Sequence, residues 1–200
     1  MNSALNDSKR CPWCGDAPDY QEYHDNIWGR PVYDSQDLFA KLCLDGQQAG
    51  LSWITILRKQ KAYEHAFLGF DPEALHEVQG AEREAFIEKQ MGNAGIVRNR
   101  LKINSIFKNA DGYMRLQQDG HSFSEFLWQF VEHKVIDNCP ASMSDVPTET
   151  EQSFAMSKAL KKAGFTFVGP TICYAFMEAV GMVNDHLRDC HVRQASNWPG

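Results

Sequence analysis

Cys11, His24, His186 and Cys190 supply two thiols and two imidazoles, the soft donor set that zinc takes in tetrahedral coordination. In His186-Leu187-Arg188-Asp189-Cys190 the histidine and cysteine stand four residues apart, which on a helical turn directs both to one side. Cys11 and His24 can complete the set from the other end of the chain. Four protein ligands leave no open coordination position, so the expected role is to tie the two chain ends together. The spacing leaves alternatives. Cys11-Pro12-Trp13-Cys14 is a CxxC able to chelate or to do redox chemistry, His191 can replace His186, and all of these can be ordinary surface side chains. Cys43 and Cys173 lie in apolar stretches and read as small core residues, and Cys139 beside Pro140 reads as a loop thiol.

A second group is aromatic. Trp13, Tyr20, Tyr23 and Trp28 precede the segment Leu44-Asp45-Gly46-Gln47-Gln48-Ala49-Gly50-Leu51-Ser52-Trp53. Rings at such density either fill a core or offer faces on which a planar base stacks, and a cationic base gains further from them. Asp45, between an apolar run and the Gly46-Gln47-Gln48 run, has no obvious structural partner. In a pocket its carboxylate accepts hydrogen bonds or stabilises developing positive charge; on the surface it is a plain helix-end aspartate. Arg98, Arg100 and Lys102, and again Lys158, Lys161 and Lys162, are either local phosphate contacts or solvated helix faces.

These side chains need a scaffold, and the sequence points to helices. Ile96, Ile103, Phe107 and Ala110 share one helical face, with Arg98, Arg100 and Lys102 away from it. Asp71-Pro72 places a cap before a proline at a first helical position, while Ser122 with Glu125 and Thr148 with Glu151 fit capping boxes. The β-like run at 165–168 is too short to build a sheet, so the expected fold is all-α. A content of 43% hydrophobic residues over 200 positions suffices for one core. We expect one domain of two helical lobes over 11–192, with tails at 1–10 and 193–200. The net charge of −6 argues against a general polyanion binder and confines any nucleic-acid contact to local features. No apolar run approaches a membrane span and the polar start lacks a signal pattern, so cytoplasmic placement is expected.

Tyr23-His24-Asp25-Asn26 with Trp28-Gly29, the run from Gly46 through Trp53, and residues 165–174 with Val183-Asn184-Asp185-His186 together resemble the 3-methyladenine DNA glycosylase I family. The likeness extends from about Cys11 to Cys190. It implies a helix-hairpin-helix DNA glycosylase that removes 3-methyladenine from alkylated double-stranded DNA in base-excision repair and releases the free base. It also implies a structural Zn2+ held by Cys11, His24, His186 and Cys190. The implied base pocket comprises Tyr23, Trp53 and the catalytic carboxylate position of Asp45, with Trp13 and Tyr20 close by. Residues 164–171 resemble the hairpin, so Gly164, Val168, Gly169 and Thr171 are expected at DNA, and a wedge is expected near Gly50 and Leu51. A monofunctional hydrolase working as a monomer is expected, since no lysine is marked as an imine-forming nucleophile.

The sequence departs from the family pattern at two places. The family usually carries glutamate where this chain has Asp45, which retracts the carboxylate by about 1.5 Å, one carbon–carbon bond. Asn184 stands where the superfamily commonly has a catalytic aspartate; Asp185 is either its substitute or a cap for the His186 segment. The alternative to an enzyme is a noncatalytic or weakly active binder of alkylated bases or DNA lesions, and a zinc hydrolase unrelated to DNA requires an open metal position.

Overall fold

The computed structural model describes residues 9–194. Helices dominate: α1 (Pro18–Asn26), α2 (Ser35–Gln48), α3 (Trp53–Leu57), α4 (Gln60–Ala66), α5 (Pro72–Glu77), α6 (Gly80–Met91), α7 (Arg100–Gln118), α8 (Phe123–Trp128), α9 (Glu151–Lys162), α10 (Pro170–Ala179) and α11 (His191–Gln194). The predominantly helical expectation holds. Two short strands, β1 (Ile136–Asp137) and β2 (Val183–Asn184), pair in parallel. They are not where the sequence looked β-like: 165–168 is part of the turn between α9 and α10.

Local signals explain most helix starts. The Asp34 side chain accepts from the Gln36 and Asp37 amides at 2.9 Å, and Asp71 caps α5 with Pro72 in the first turn. Ser122 does occupy the N-cap of α8, but its side chain makes no cap hydrogen bond. The expected box at Thr148 and Glu151 is displaced. Thr150 and Ser153 form it instead, because the hydroxyl pair meets both cap donors and leaves Thr148 outside the helix.

Helix α2 is the hub, packing against α3, α7, α8 and α10. Leu38, Phe39 and Leu42 on it are fully buried, as are Ile103, Ile106 and Phe107 on α7 and Phe176 and Met177 on α10. This spacing of three and four residues is the apolar stripe of a core-facing helix. Gly46 permits the close approach of the α9–α10 turn: a Cβ there would lie 3.1 Å from the Phe167 Cβ. Lys102 departs from expectation. It is buried, and its ammonium donates to the Gln47 and Ala49 carbonyls at 2.8 and 2.6 Å, so its long stem crosses apolar surface to cap the carboxyl end of α2. Arg98 and Arg100 are exposed as expected, with Arg100 paired to Glu84 and Glu88.

At the chain ends, Lys9 pairs with Asp189, Arg10 with Asp25 and Arg193 with Asp137. The remainder of the expected tails, 1–8 and 195–200, lies outside the described residues. Among the described residues no helix is long and apolar enough to cross a membrane.

Candidate functional site: an aromatic cavity beside a Cys2His2 cluster

A cavity of about 380 Å³ opens between α1, α2 and α10. One wall is a run of rings. Trp13 meets Tyr20 at 5.0 Å and Trp28 at 4.9 Å between centroids, both edge to face, and Tyr23 lies 5.5 Å from Trp53. Tyr23, Trp28 and Trp53 are buried, yet all line the cavity. Helix α1 carries Tyr20 and Tyr23, whose spacing of three residues puts them on adjoining faces, and Pro18 at its first turn fixes where the helix begins.

Asp45 sits at the floor, on the buried face of α2, 2% exposed. The sequence suggested no partner for it, but Lys41, one turn earlier on the same helix, forms an ion pair with its Oδ1. Its Oδ2 and the Trp53 Nε1 are buried without a hydrogen-bond partner among the described residues. The Lys41 ammonium also lies 3.9 Å from the Trp53 ring centroid. Burial pushes the Asp45 carboxyl up and the Lys41 ammonium down from their ordinary values, each partly offset by the other's charge.

Across the cavity, α10 presents Tyr174, Ala175 and Glu178. Burial, reinforced by the charge of and hydrogen bond with Asp185, pushes the Glu178 carboxyl well above the usual range. Asp185 does not cap the His186 segment. It accepts from the Tyr174 hydroxyl at 2.6 Å and from Asn138 at 2.8 Å, while the side-chain Oδ1 of Asn184 accepts from the His186 amide at 3.2 Å. Asn184 is buried, and its side-chain nitrogen has no hydrogen-bond partner among the described residues. Lys41 and Glu178 were missed from the sequence. A lysine four residues before an aspartate, and a lone acid in an otherwise apolar helix, were the available signals.

The expected DNA-facing positions fall into two groups. Gly50, at positive φ, and exposed Leu51 border a smaller recess that also reaches Asp45 and Thr171. In the α9–α10 turn, Gly169 and exposed Thr171 flank the start of α10, whose first amides have no intrahelical acceptor, and a Cβ on Gly169 would meet nothing. Val168, expected at DNA, is instead buried, backbone included, and its carbonyl accepts from Ser157 at 2.6 Å, so it offers no surface for a contact. Gly164 has a sufficient internal reason: φ is +93° and a Cβ would collide with the Arg115 guanidinium. Lys158, Lys161 and Lys162 are exposed on α9, the helix leading into this turn.

Behind the aromatic wall, Cys11, His24, His186 and Cys190 come together, all buried, with one ligand atom from each within 4.8 Å of the others. Cys190 Sγ lies 3.5 Å from His24 Nε2 and 3.5 Å from His186 Nδ1, and Cys11 Sγ lies 3.7 Å from His186 Nδ1. Tetrahedral bonds of about 2.3 Å to sulfur and 2.0–2.1 Å to nitrogen require sulfur–nitrogen edges of about 3.5 Å. The far imidazole nitrogens are held too: His24 Nδ1 by Asp25 at 2.7 Å and His186 Nε2 by the Trp28 carbonyl at 3.3 Å. The pair of thiols is polarised, with Cys11 pushed up by its hydrogen bond to Cys190 and by burial, and Cys190 pulled down as the sulfur that accepts from Cys11. His191 instead faces Asp25 and the Lys9 carbonyl, and the Cys14 thiol donates to the Cys11 carbonyl at 3.2 Å, so neither belongs to the cluster.

Comparison with known proteins accounts for this combination. The family model for methyladenine glycosylase matches residues 13–194. A DNA-3-methyladenine glycosylase of Haemophilus influenzae is 50% identical over 181 residues, 90% of this chain and 96% of the relative. A crystal structure of 3-methyladenine DNA glycosylase I superposes with a TM-score of 0.87 at 47% identity, over 91% of this chain and 98% of that one. A variant of such an enzyme, in complex with 3-methyladenine, gives 0.86 at 40% identity over 92% and 96%. A match over this span and at this identity leaves one assignment, and the chain belongs to the methyladenine glycosylase family.

Proposed function

We propose that this chain hydrolyses the N-glycosidic bond of 3-methyladenine in alkylated double-stranded DNA, releasing the free base in the first step of base-excision repair. The observation that carries this reading is the ring-walled cavity with the Asp45 carboxylate at its floor, one oxygen of which has no partner among the described residues. A base extruded from the stack recovers part of its unstacking cost, a few kcal/mol, between rings such as Tyr23, Trp53 and Trp13. Tyr20 extends the ring wall beside Trp13. Asp45 Oδ2 accepts from the exocyclic amine of adenine, and its charge offsets the positive charge of the alkylated nucleoside as the bond breaks. Relatives named for this activity, one of them in complex with 3-methyladenine, support the same substrate.

The remaining assignments follow from what each position can do. The backbone at Gly169 and Thr171 and the start of α10 suit a phosphate without adding net charge, with Gly164 shaping the turn as the hairpin of a helix-hairpin-helix fold. Leu51, projecting next to Gly50, suits the wedge that fills the stack. Asn184 cannot act as an anionic base, which fits a leaving group already carrying positive charge. In this reading residues 11–192 act as one domain whose two lobes face each other across the cavity, with tails at either end, and a monomer suffices. A bacterial cytosolic location, where the DNA is, completes it.

The donor set, its edge lengths and its held outer nitrogens fit Zn2+ bound by Cys11, His24, His186 and Cys190. With four protein ligands the ion supplies bracing and no Lewis acid to substrate. Chemistry at the cavity therefore falls to Asp45 and the aromatic wall.

Incubation with N-methylated DNA tests the proposal by chromatography of the released base. Free 3-methyladenine should appear with intact sugar-phosphate strands, and its absence at high enzyme concentration overturns the catalytic claim. One observation favours the second reading, a lesion binder of little turnover: Lys41 already occupies one oxygen of Asp45. Tight binding of abasic DNA without base release would select it. Asp45→Glu, which restores the longer acid, should raise the rate of release if reach limits the wild type.

A further inference from the structure

The turn from α2 to α3, residues 49–52, carries exposed Leu51 with Gly50 at a φ of +76°. An apolar side chain on such a turn enters a base stack most readily if the turn already holds its shape, because ordering it on binding subtracts from affinity. One local bond shapes it: the Leu51 amide donates to the Gln48 carbonyl at 2.6 Å. Lys102 supplies a long-range one. Its ammonium donates to the Gln47 and Ala49 carbonyls, on either side of Gln48. The clamp is reciprocal. Fully buried Gln47 donates from Nε2 to the Lys102 carbonyl at 2.9 Å and accepts from the Tyr63 hydroxyl at 3.3 Å, which itself accepts from the Val97 amide at 3.1 Å. The last turn of α2 is thereby fastened to α4 and α7. Lys102 stands in the first turn of α7, where that helix's own dipole opposes a cation, whereas the carbonyls at the end of α2 favour one. Its charge therefore serves α2.

We infer that Lys102 is a positioning residue for lesion recognition: by clamping the end of α2 it holds the following turn in the shape that projects Leu51 into DNA. This rests on Leu51 being the wedge. The Lys102 side chain does not itself reach a phosphate, since the residue is only 7% exposed and its ammonium is engaged by the two carbonyls. A wedge gains most where a base has already left the stack and leaves a gap to fill. Lys102 therefore contributes to the preference for a lesion over intact duplex. Its contribution to phosphate contacts, which both duplexes share, and to the base pocket is small.

Two labelled duplexes of one sequence test this, one with a tetrahydrofuran abasic site and one undamaged, each titrated by fluorescence anisotropy at the same salt concentration. The readout is the ratio of their two Kd values on one protein, which cancels both the shared phosphate contacts and any loss of active fraction. Wild type should prefer the abasic duplex. Leu51→Ala should lower that preference by at least about tenfold, or about 1.4 kcal/mol. Lys102→Met, close in length but without donors, should reproduce most of that fall, with the Kd for free 3-methyladenine, read by tryptophan fluorescence, close to that of wild type. Lys102→Arg, which restores donors, should keep the preference. The double variant should be no worse than Leu51→Ala, because the lysine acts through the leucine. If Lys102→Met folds poorly, Lys102→Gln is read in the same way. An unchanged ratio, as expected of a residue that only stabilises the fold, or losses that multiply in the double variant, overturns the inference while leaving the wedge intact. No preference in wild type, or none lost in Leu51→Ala, overturns the wedge reading itself, and this inference with it.

Discussion

Asp45 illustrates how a single side chain ties stability to chemistry. A buried carboxylate with one oxygen in an ion pair and the other unpartnered is a costly arrangement, because desolvation is only partly repaid by a single neighbour. Truncating the charge on one side leaves the other stranded. Asp45→Asn should therefore destabilise the protein by about 3 kcal/mol in urea unfolding, since it leaves the Lys41 ammonium beside a neutral amide. Lys41→Met added to Asp45→Asn should recover most of that loss. Base release should stay low in both variants, because the recovered stability does not restore the carboxylate charge. A double variant no more stable than Asp45→Asn would mean that the pair is not the source of the cost. The aspartate was legible as a candidate from its place beside Gly46, and the shortened side chain from the family resemblance. Its lysine was not, although separation by one helical turn is an ordinary helix pairing, because only burial turns that pairing into the aspartate's partner.

At the level of elements, local signals were read well and distant ones poorly. The Asp71-Pro72 start of α5 acts within four residues and was visible, whereas the box that begins α9 lies at Thr150 and Ser153, two residues beyond the threonine that the pattern suggested. The strands β1 and β2 are two residues each and exist through a pairing across almost fifty positions, which no window of sequence contains. Lys102 belonged to an exposed face by periodicity, yet reaches back to the end of α2, a destination set by tertiary packing. Helix α10 carries a consequence of the same kind. Glu178 lies in an apolar helix beside Asp185, and its carboxyl is pushed well above the usual range by burial first and by Asp185 second. A carboxyl whose folded-state value is raised stabilises the fold in its protonated form. That contribution is complete below the unfolded value of about 4.3 and is lost as pH rises through the folded value. Glu178→Gln, neutral and nearly isosteric, escapes the loss. Its Tm should match wild type near pH 4 and exceed it increasingly toward pH 8. Parallel Tm–pH curves for the two proteins would show that burial of Glu178 carries no such cost.

Considered as a whole, the molecule has one large apolar core running from α1 to β2 and a small one around the chain ends, formed by Cys11, Leu187, Cys190 and Val192. The two cysteines of the Cys2His2 cluster belong to the second, but aromatic contacts of its histidines couple it to the cavity. Trp28 packs on His186 at 4.6 Å between centroids and Trp13 on His24 at 5.3 Å, and both tryptophans line the cavity. An ion bound there would thus hold the back of the aromatic wall proposed to receive the base. Metal analysis of the purified protein should find about one zinc per chain, and Cys190→Ser should lose most of it. Because the large core contains none of the four ligands, the helices should survive metal removal by a chelator, with far-ultraviolet circular dichroism nearly unchanged at 25 °C. The Tm should nevertheless fall by more than about 5 °C, as expected when even a few kcal/mol of native-state binding energy is withdrawn from a domain of this size. Affinity for 3-methyladenine should weaken in the same samples, with a change in tryptophan fluorescence that zinc reverses. Loss of zinc that lowers the Tm but leaves base affinity and fluorescence untouched would confine the cluster to bracing the termini. A coupled loss would make the metal site a support of the base pocket, acting through Trp13 and Trp28 without touching the substrate.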